Sequence, residues 1–269
     1  MLAIVMRLLG YRKETERVKK KGLRILAAAA VLTFGCLTMN AYAAEGWALS
    51  NNIWTYLDKN GNRVTNEWKK GADNLWRYLN NSGEMAVNSW ADNDYYVDAN
   101  GIMVADKWMQ IVSPYSRDSQ TYWFYFGSSG KVTKDTWKKI DGKSYYFDAD
   151  GIMQTGWTED GDYYLSSSGA MVTGWKYLEP KDEDSSLYGP ESDGKYWFYF
   201  SASGKKQSPS TSDDGGEYKV TKIDGKYYCF DADGRMRTGW VYLDGDPENS
   251  SKNSIADWRY FAESGIQNA

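Results

Sequence analysis

The sequence predicts an all-β chain, a solenoid of stacked β-hairpin repeats of about 20 residues each, behind an N-terminal signal peptide. Three observations carry that prediction. One short motif recurs nine times between Trp54 and Gly265, which is the mark of a repeat architecture. Aromatics supply 16 of the 42 percentage points of hydrophobic residues, so a core built mainly from Leu, Ile and Val is not available. Beyond the leader no apolar stripe of helical period persists, whereas Gly, Asp and Ser clusters punctuate aromatic runs throughout.

The leader comes first. Lys19-Lys20-Lys21-Gly22-Leu23-Arg24 precedes an apolar run from Ile25 to Met39 and then Ala41-Tyr42-Ala43. A basic stretch, a short apolar core and a small-x-small site form a secretory signal peptide, so cleavage is expected after Ala43 and the repeat domain occupies 44–269. The run is short for a membrane span, and no stable membrane insertion is expected. Cys36 lies within the leader behind Thr33-Phe34-Gly35, which lacks the aliphatic residue a lipidated cysteine needs. Cys229 is then left alone, without an intramolecular disulfide. Removing the leader takes away eight basic and two acidic residues, which leaves 24 basic against 34 acidic and a net charge of −10. Nucleic acid is a poor partner for that surface, and a cationic ligand a better one.

The repeat reads as an aromatic, any residue, Tyr, a large apolar residue, three turn-type residues, then Gly. Trp54-Thr55-Tyr56-Leu57 with Gly61, Trp76-Arg77-Tyr78-Leu79 with Gly83 and Trp123-Phe124-Tyr125-Phe126 with Gly130 are clear copies. Trp197 with Gly204 and Trp258 with Gly265 open two more. The copies that begin at Asp94, Ser144, Asp162 and Tyr227 each change one position. The fourth position (Leu57, Leu79, Val97, Phe126, Phe147, Leu165, Phe200, Phe230, Phe261) is apolar in every copy and is assigned to the core. The second position admits Thr55, Arg77 and Arg259 and is expected to face solvent. Aromatic runs ended by Asp-x-Asp-Gly or Ser-Ser-Gly predict strand, tight turn, strand, with Gly supplying positive φ. Two residues past the Gly stands Met85, Met103, Met153, Met171 or Met236, and six or seven past it a Trp, with Val220 as the exception. Inserted loops are expected near 176–195, 205–219 and 241–257. A lone hairpin of this size buries too little to be stable, so the copies must stack.

Enzyme chemistry finds little support in these residues. The chain contains no histidine, which excludes Ser-His-Asp and Cys-His nucleophiles and every His-ligated metal site. Asp148-Ala149-Asp150-Gly151 suggests a calcium loop, but Trp157 falls where a bidentate Glu is required, and the reading is a hairpin turn. No metal, cofactor or catalytic residue is expected. Repeats fill the region after the leader and leave no room for a catalytic domain.

The string Gly-Trp, Trp-x-Tyr-apolar, Gly-x-Met-x-Thr-Gly-Trp resembles the cell-wall-binding, choline-binding repeat family. Ile152-Met153-Gln154-Thr155-Gly156-Trp157 and Arg235-Met236-Arg237-Thr238-Gly239-Trp240 carry the resemblance best. Similar repeats occur in the glucan-binding domains of glucosyltransferases and in clostridial toxins. The resemblance implies an aromatic cage between consecutive hairpins, walled by the Trp after Gly, the first aromatic of the strand and an aromatic of the next hairpin. It places ligand contacts at Trp47 with Trp54, Trp68 with Trp76, Trp108 with Trp123, Trp175 with Trp197, and Trp240 with Trp258, and adds Tyr56, Tyr78 and Met85. The hairpins of Trp90, Trp137 and Trp157 carry Asp94, Ser144 and Asp162 at the cage position, the unit starting at Val220 lacks the Trp but keeps Tyr227, and a site is not expected in these four. A quaternary ammonium donates no hydrogen bond and is held by aromatic faces.

The implied protein is secreted, non-catalytic and attached to the surface of a Gram-positive-type cell through choline or phosphocholine on teichoic acid or wall polymer. An α-glucan or other carbohydrate ligand is the alternative within binding proteins. A fragment of a larger surface enzyme or toxin is the other, since the sequence stops at Ala269 before a further Trp completes the last copy.

Overall fold

The structure is a computed structural model that describes residues 44–117, 119–181, 194–209, 218–243 and 257–267. The expected signal peptide, 1–43, and most of the three expected inserted loops lie outside these residues. All described residues belong to one compact unit, Tyr42–Ala269. Among the described residues every named element is a β-strand, and the strands form nine small antiparallel sheets.

Each sheet is one hairpin that pairs the strand bearing the Trp with the next aromatic strand. The first six are β1 (Gly46–Ser50) with β2 (Ile53–Leu57), β3 (Glu67–Lys70) with β4 (Trp76–Leu79), β5 (Ser89–Ala91) with β6 (Tyr95–Val97), β7 (Lys107–Val112) with β8 (Thr121–Phe126), β9 (Thr136–Ile140) with β10 (Lys143–Phe147), and β11 (Gly156–Trp157) with β12 (Tyr164–Leu165). The seventh is β13 (Gly174–Leu178) with β14 (Tyr196–Phe200). The eighth is β15 (Tyr218–Ile223) with β16 (Lys226–Asp231) and β17 (Met236–Arg237), and the ninth β18 (Gly239–Leu243) with β19 (Asp257–Phe261). The hairpin therefore closes between the Trp strand and the aromatic strand, at turns such as Asn51-Asn52 and Asp141-Gly142, which adopt positive φ.

The turn at the repeat's Gly is present as predicted, but the strand expected after it is mostly a single bridge. Leu79 pairs with Met85, Phe126 with Val132 and Phe147 with Met153, and only the eighth hairpin extends this pairing into a strand. The reason is a second use for that backbone. The residue two past the Gly donates its N–H to the first-position carbonyl of the preceding hairpin: Met85 to Trp54 at 2.7 Å, Met103 to Trp76 at 2.9 Å, Met153 to Trp123 at 2.9 Å. Gln267 does the same to Tyr227 at 2.9 Å. Each such bond adds about 0.5–1.5 kcal/mol and ties one hairpin to the previous one, so the chain leaves its own sheet early.

The side chain at the same position points the other way along the stack. Met85 packs on Gly101 of the following hairpin, whose backbone sits at φ 70°, and a Cβ there would stand 2.9 Å from the Ala86 carbonyl and 2.9 Å from Met85 Cε. The Gly is thus required twice, by its backbone angle and by the close approach of a neighbouring repeat. Met103, Met153, Met171 and Met236 approach Gly130, Gly169, Gly204 and Gly265 in the same way.

The core runs through the fourth positions as the sequence predicts. Leu79, Val97, Phe126, Phe147, Leu165, Phe200, Phe230 and Phe261 are buried, and Leu57 of the first hairpin is half-buried. The second position corrects the expectation of solvent exposure. Thr55, Phe124 and Phe198 are buried and Arg77, Tyr145 and Arg259 half-buried. A strand sends alternate side chains to one face, so positions two and four share the inner side.

Candidate functional site

In every hairpin but the eighth, where Val220 faces Cys229, the Trp lies opposite the third-position Tyr of its own hairpin. Trp47 faces Tyr56, Trp68 Tyr78, Trp108 Tyr125 and Trp175 Tyr199, with ring centroids 5.5, 5.1, 5.2 and 5.1 Å apart. The same indoles reach forward. Trp108 meets Tyr145 of the next hairpin at 4.9 Å and Trp175 meets Tyr228 at 4.7 Å. Several indole N–H groups bond beyond their own hairpin: Trp47 donates to the Lys70 carbonyl at 3.0 Å, Trp68 to Asp92 Oδ2 at 3.2 Å, and Trp157 to the Glu179 carbonyl at 2.9 Å. These rings hold the stack together as well as lining any cage.

The first-position aromatics behave differently. Trp54, Trp76, Trp123, Trp197 and Trp258 are all exposed. Of the five Trp pairs expected to form cages, Trp108–Trp123 and Trp175–Trp197 come together, each with centroids 6.4 Å apart and near-perpendicular planes of 83° and 82°. In the others the first-position ring has a different neighbour. Lys70 Nζ lies 4.9 Å from the Trp76 centroid, and Trp258 packs on Tyr242 at 5.4 Å. Trp240 stands open at 67% exposure. Trp54 lies opposite Leu49 in its hairpin.

Tyr56 takes Lys69 Nζ over its face at 5.2 Å. Tyr78 is buried, and its hydroxyl donates to Asp92 Oδ1 at 2.7 Å. Burial and the Asp92 carboxylate push its pKa up to about 12, so the phenol stays protonated. Met85 is the spacer on Gly101 described above.

One of the two Trp–Trp pairs opens into a recess of about 380 Å³, walled by Trp175, Trp197 and Tyr228, with Met236, Glu263 and Ser264 at its border. Three aromatic faces from two hairpins, a thioether and one carboxylate are the surroundings that suit an organic cation. A larger recess of about 830 Å³ lies one hairpin earlier and includes Trp157, Asp162, Phe198 and Lys206. Its size exceeds that of the aromatic recess, but it presents charged side chains where the other presents rings.

Tyr145, Tyr228 and Met236 were not among the residues the sequence singled out for ligand contact. The signal for the two tyrosines was present: six of the nine second positions are aromatic, namely Tyr95, Phe124, Tyr145, Tyr163, Phe198 and Tyr228. The polar exceptions Thr55, Arg77 and Arg259 concealed it.

The profile of the choline-binding repeat family matches residues 44–90 and 132–174. Among solved structures, the modular autolysin LytC of Streptococcus pneumoniae is similar at 22% identity and a TM-score of 0.50, over 83% of this chain and 46% of that one. Choline binding protein F of Streptococcus pneumoniae, crystallised with a peptidoglycan analogue, is similar at 20% identity and a TM-score of 0.50, over 84% and 80% of the two chains. The chain thus spans less than half the length of the autolysin, and at these identities the likeness concerns the fold. Curated proteins give no match. Between and beyond the two matched stretches the hairpin register is the same, with Trp108 opposite Tyr125 and Trp240 opposite Tyr260.

Proposed function

We propose that the chain is a secreted, non-catalytic attachment module that binds choline or phosphocholine groups of a cell-wall or teichoic-acid polymer. The observation that carries the proposal is the recess at Trp175, Trp197 and Tyr228. A trimethylammonium group there meets three ring faces without needing a hydrogen-bond acceptor, and Glu263 at the border complements its charge. The Trp108, Trp123 and Tyr145 rings repeat the arrangement. Three rings at about 0.5–2 kcal/mol each give a single cage an affinity around the millimolar mark. Repetition along the chain against a polymer with many choline groups raises this through effective concentration.

Carbohydrate is the second reading. The open faces of Trp240 and Trp258, at 67% and 62% exposure, suit stacking on a sugar ring more than enclosure of a cation. Titration with choline chloride and, separately, with dextran decides between them through tryptophan fluorescence. Choline is expected to change the emission at millimolar concentration and to release the protein from choline-bearing cells. A response to dextran with none to choline overturns the choline reading.

A further inference from the structure

We propose that the recess of the sixth hairpin is an aromatic cage filled from within, in which the ammonium of Lys206 takes the place of a ligand cation and closes the site to quaternary ammonium compounds. The inference extends the cage reading of the Trp175 recess by one hairpin, and its test is arranged so that the two can fail separately.

The two recesses correspond position by position. In the seventh hairpin the walls are Trp175, the first-position Trp197 and the second-position Tyr228 of the next hairpin, with Met236 two residues past the following Gly. In the sixth hairpin these positions hold Trp157, Asp162, Phe198 and Lys206. Trp157 meets Phe198 at 5.0 Å, as Trp175 meets Tyr228 at 4.7 Å, so the shared walls keep their relation. The two changes are an aromatic wall replaced by a carboxylate and a neutral thioether replaced by an ammonium.

Lys206 is held at this point by the same backbone staple as the methionines. Its N–H donates to the Asp162 carbonyl at 2.8 Å, which fixes where the side chain starts. Nζ lies 5.2 Å from the centroid of the Trp157 ring, within the ~6 Å at which a cation is attracted to an aromatic face. Among the described residues Lys206 makes no ion pair, although Asp162 and Asp233 border the same recess. Those carboxylates are engaged elsewhere: Asp162 with Lys205 at 3.1 Å and Asp233 with Arg235 at 2.7 Å. The ring of Trp157 is thus the partner over which the ammonium rests. Burial holds the Lys206 pKa below the ordinary lysine value against the pull of Asp233, Asp162 and Asp231, as expected for a cation withdrawn from water into a cage.

Indole NMR of the full chain with choline chloride as the probe tests this. In the wild-type protein the Trp157 indole resonance is expected to stay in place through about tenfold excess over a millimolar Kd, while the Trp175 resonance moves. In Lys206→Met with Asp162→Trp, the Trp157 resonance is expected to move as well, and equilibrium dialysis to count one additional choline per chain. Lys206→Arg keeps a cation in the seat and is expected to leave Trp157 silent. The proposal is overturned if Trp157 responds in the wild type, or if it remains silent in the double variant with β content and urea midpoint retained. Should the double variant fail to fold, Lys206→Met alone, a near volume-conserving change, must show the Trp157 response. A silent Trp175 in the wild type counts against the cage of the seventh hairpin only, since Trp157 in the variants still decides this proposal.

Discussion

At the scale of single residues, the repeat assigns one task to each position, and the exposed first position is the one free to serve a ligand. Its carbonyl makes the staple with the next hairpin whatever the side chain, which is why Trp54, Asp94, Ser144 and Tyr227 all occur there. Trp197→Ala is therefore expected to leave the far-UV spectrum unchanged and to weaken choline binding by roughly 2- to 30-fold, the value of one ring face. Calorimetry or fluorescence titration reads the loss, and unfolding of the variant would return Trp197 to the core. Gly101→Ala has the opposite profile. It places a Cβ at φ 70° and 2.9 Å from the Ala86 carbonyl, and it should cost about 1–3 kcal/mol in urea denaturation. A variant as stable as the wild type would show that the stack yields at this contact.

Cys229 makes a third prediction at this scale. It is fully buried, and burial pushes its thiol pKa up to about 12. The thiolate is the reactive form, so a disulfide reagent at pH 8 is expected to spare Cys229 in the folded protein and to modify it in denaturant, as read by peptide mapping. Rapid labelling of that peptide without denaturant would contradict the burial.

At the scale of the hairpin, substitutions come in compensating pairs. The eighth hairpin has Val220 where the others have Trp, and it is also the hairpin with Cys229 where the others have Tyr; the two lie directly opposite in β15 and β16. Removing both members of a facing pair leaves no half-filled contact. Asp at the first position is compensated across hairpins. Asp94 meets Lys131 at 3.1 Å, and Asp162 meets Lys205 at 3.1 Å, both lysines standing immediately after the Gly of the following repeat. Lys134 adds a further bond to Asp94 at 2.8 Å. Its hydrogen bond holds the Asp94 carboxyl below the ordinary aspartate range, so ionised Asp94 favours the folded state above the unfolded pKa, and this contribution is lost as pH falls through the folded pKa. Asp94→Asn should lose up to about 1 kcal/mol at pH 7 and converge with the wild type in acid, once Asp94 is protonated in the folded state. Parallel urea curves at the two pH values measure it, and a gap that persists in acid would assign the effect to packing.

At the scale of the whole repeat array, the pattern is longer than one hairpin. The third to fifth hairpins resemble the sixth to eighth: Asp94 corresponds to Asp162, Trp123-Phe124 to Trp197-Phe198, Lys131 to Lys205, and Ile140-Asp141-Gly142 to Ile223-Asp224-Gly225. The two Trp–Trp pairs with centroids 6.4 Å apart occupy corresponding places in that larger period. Two cages acting together against a polymer gain by effective concentration what each lacks alone. Disabling both with Trp123→Ala and Trp197→Ala is expected to reduce retention on a choline-bearing matrix by more than the product of the single losses in free-choline affinity. Simple multiplication of the single effects would indicate that the cages bind independently of one another.

Much of this was legible in the residues. Nine invariant glycines, the apolar fourth position and the aromatic alternation are local properties, dictated by which backbone angles a turn permits and by the two-residue period of a strand. They sufficed for the all-β repeat fold. The residues that wall each recess depend on how hairpin follows hairpin, because a Trp of one repeat meets the second position of the next. That register placed Tyr145 and Tyr228 inside rather than in solvent, turned the repeated Met into a spacer on the next Gly, and brought Lys206 over Trp157. A linear pattern specifies the unit, since turn and strand chemistry act within a few residues. The aromatic recesses belong to the stacking, since their walls lie in different repeats and meet only when the hairpins pack.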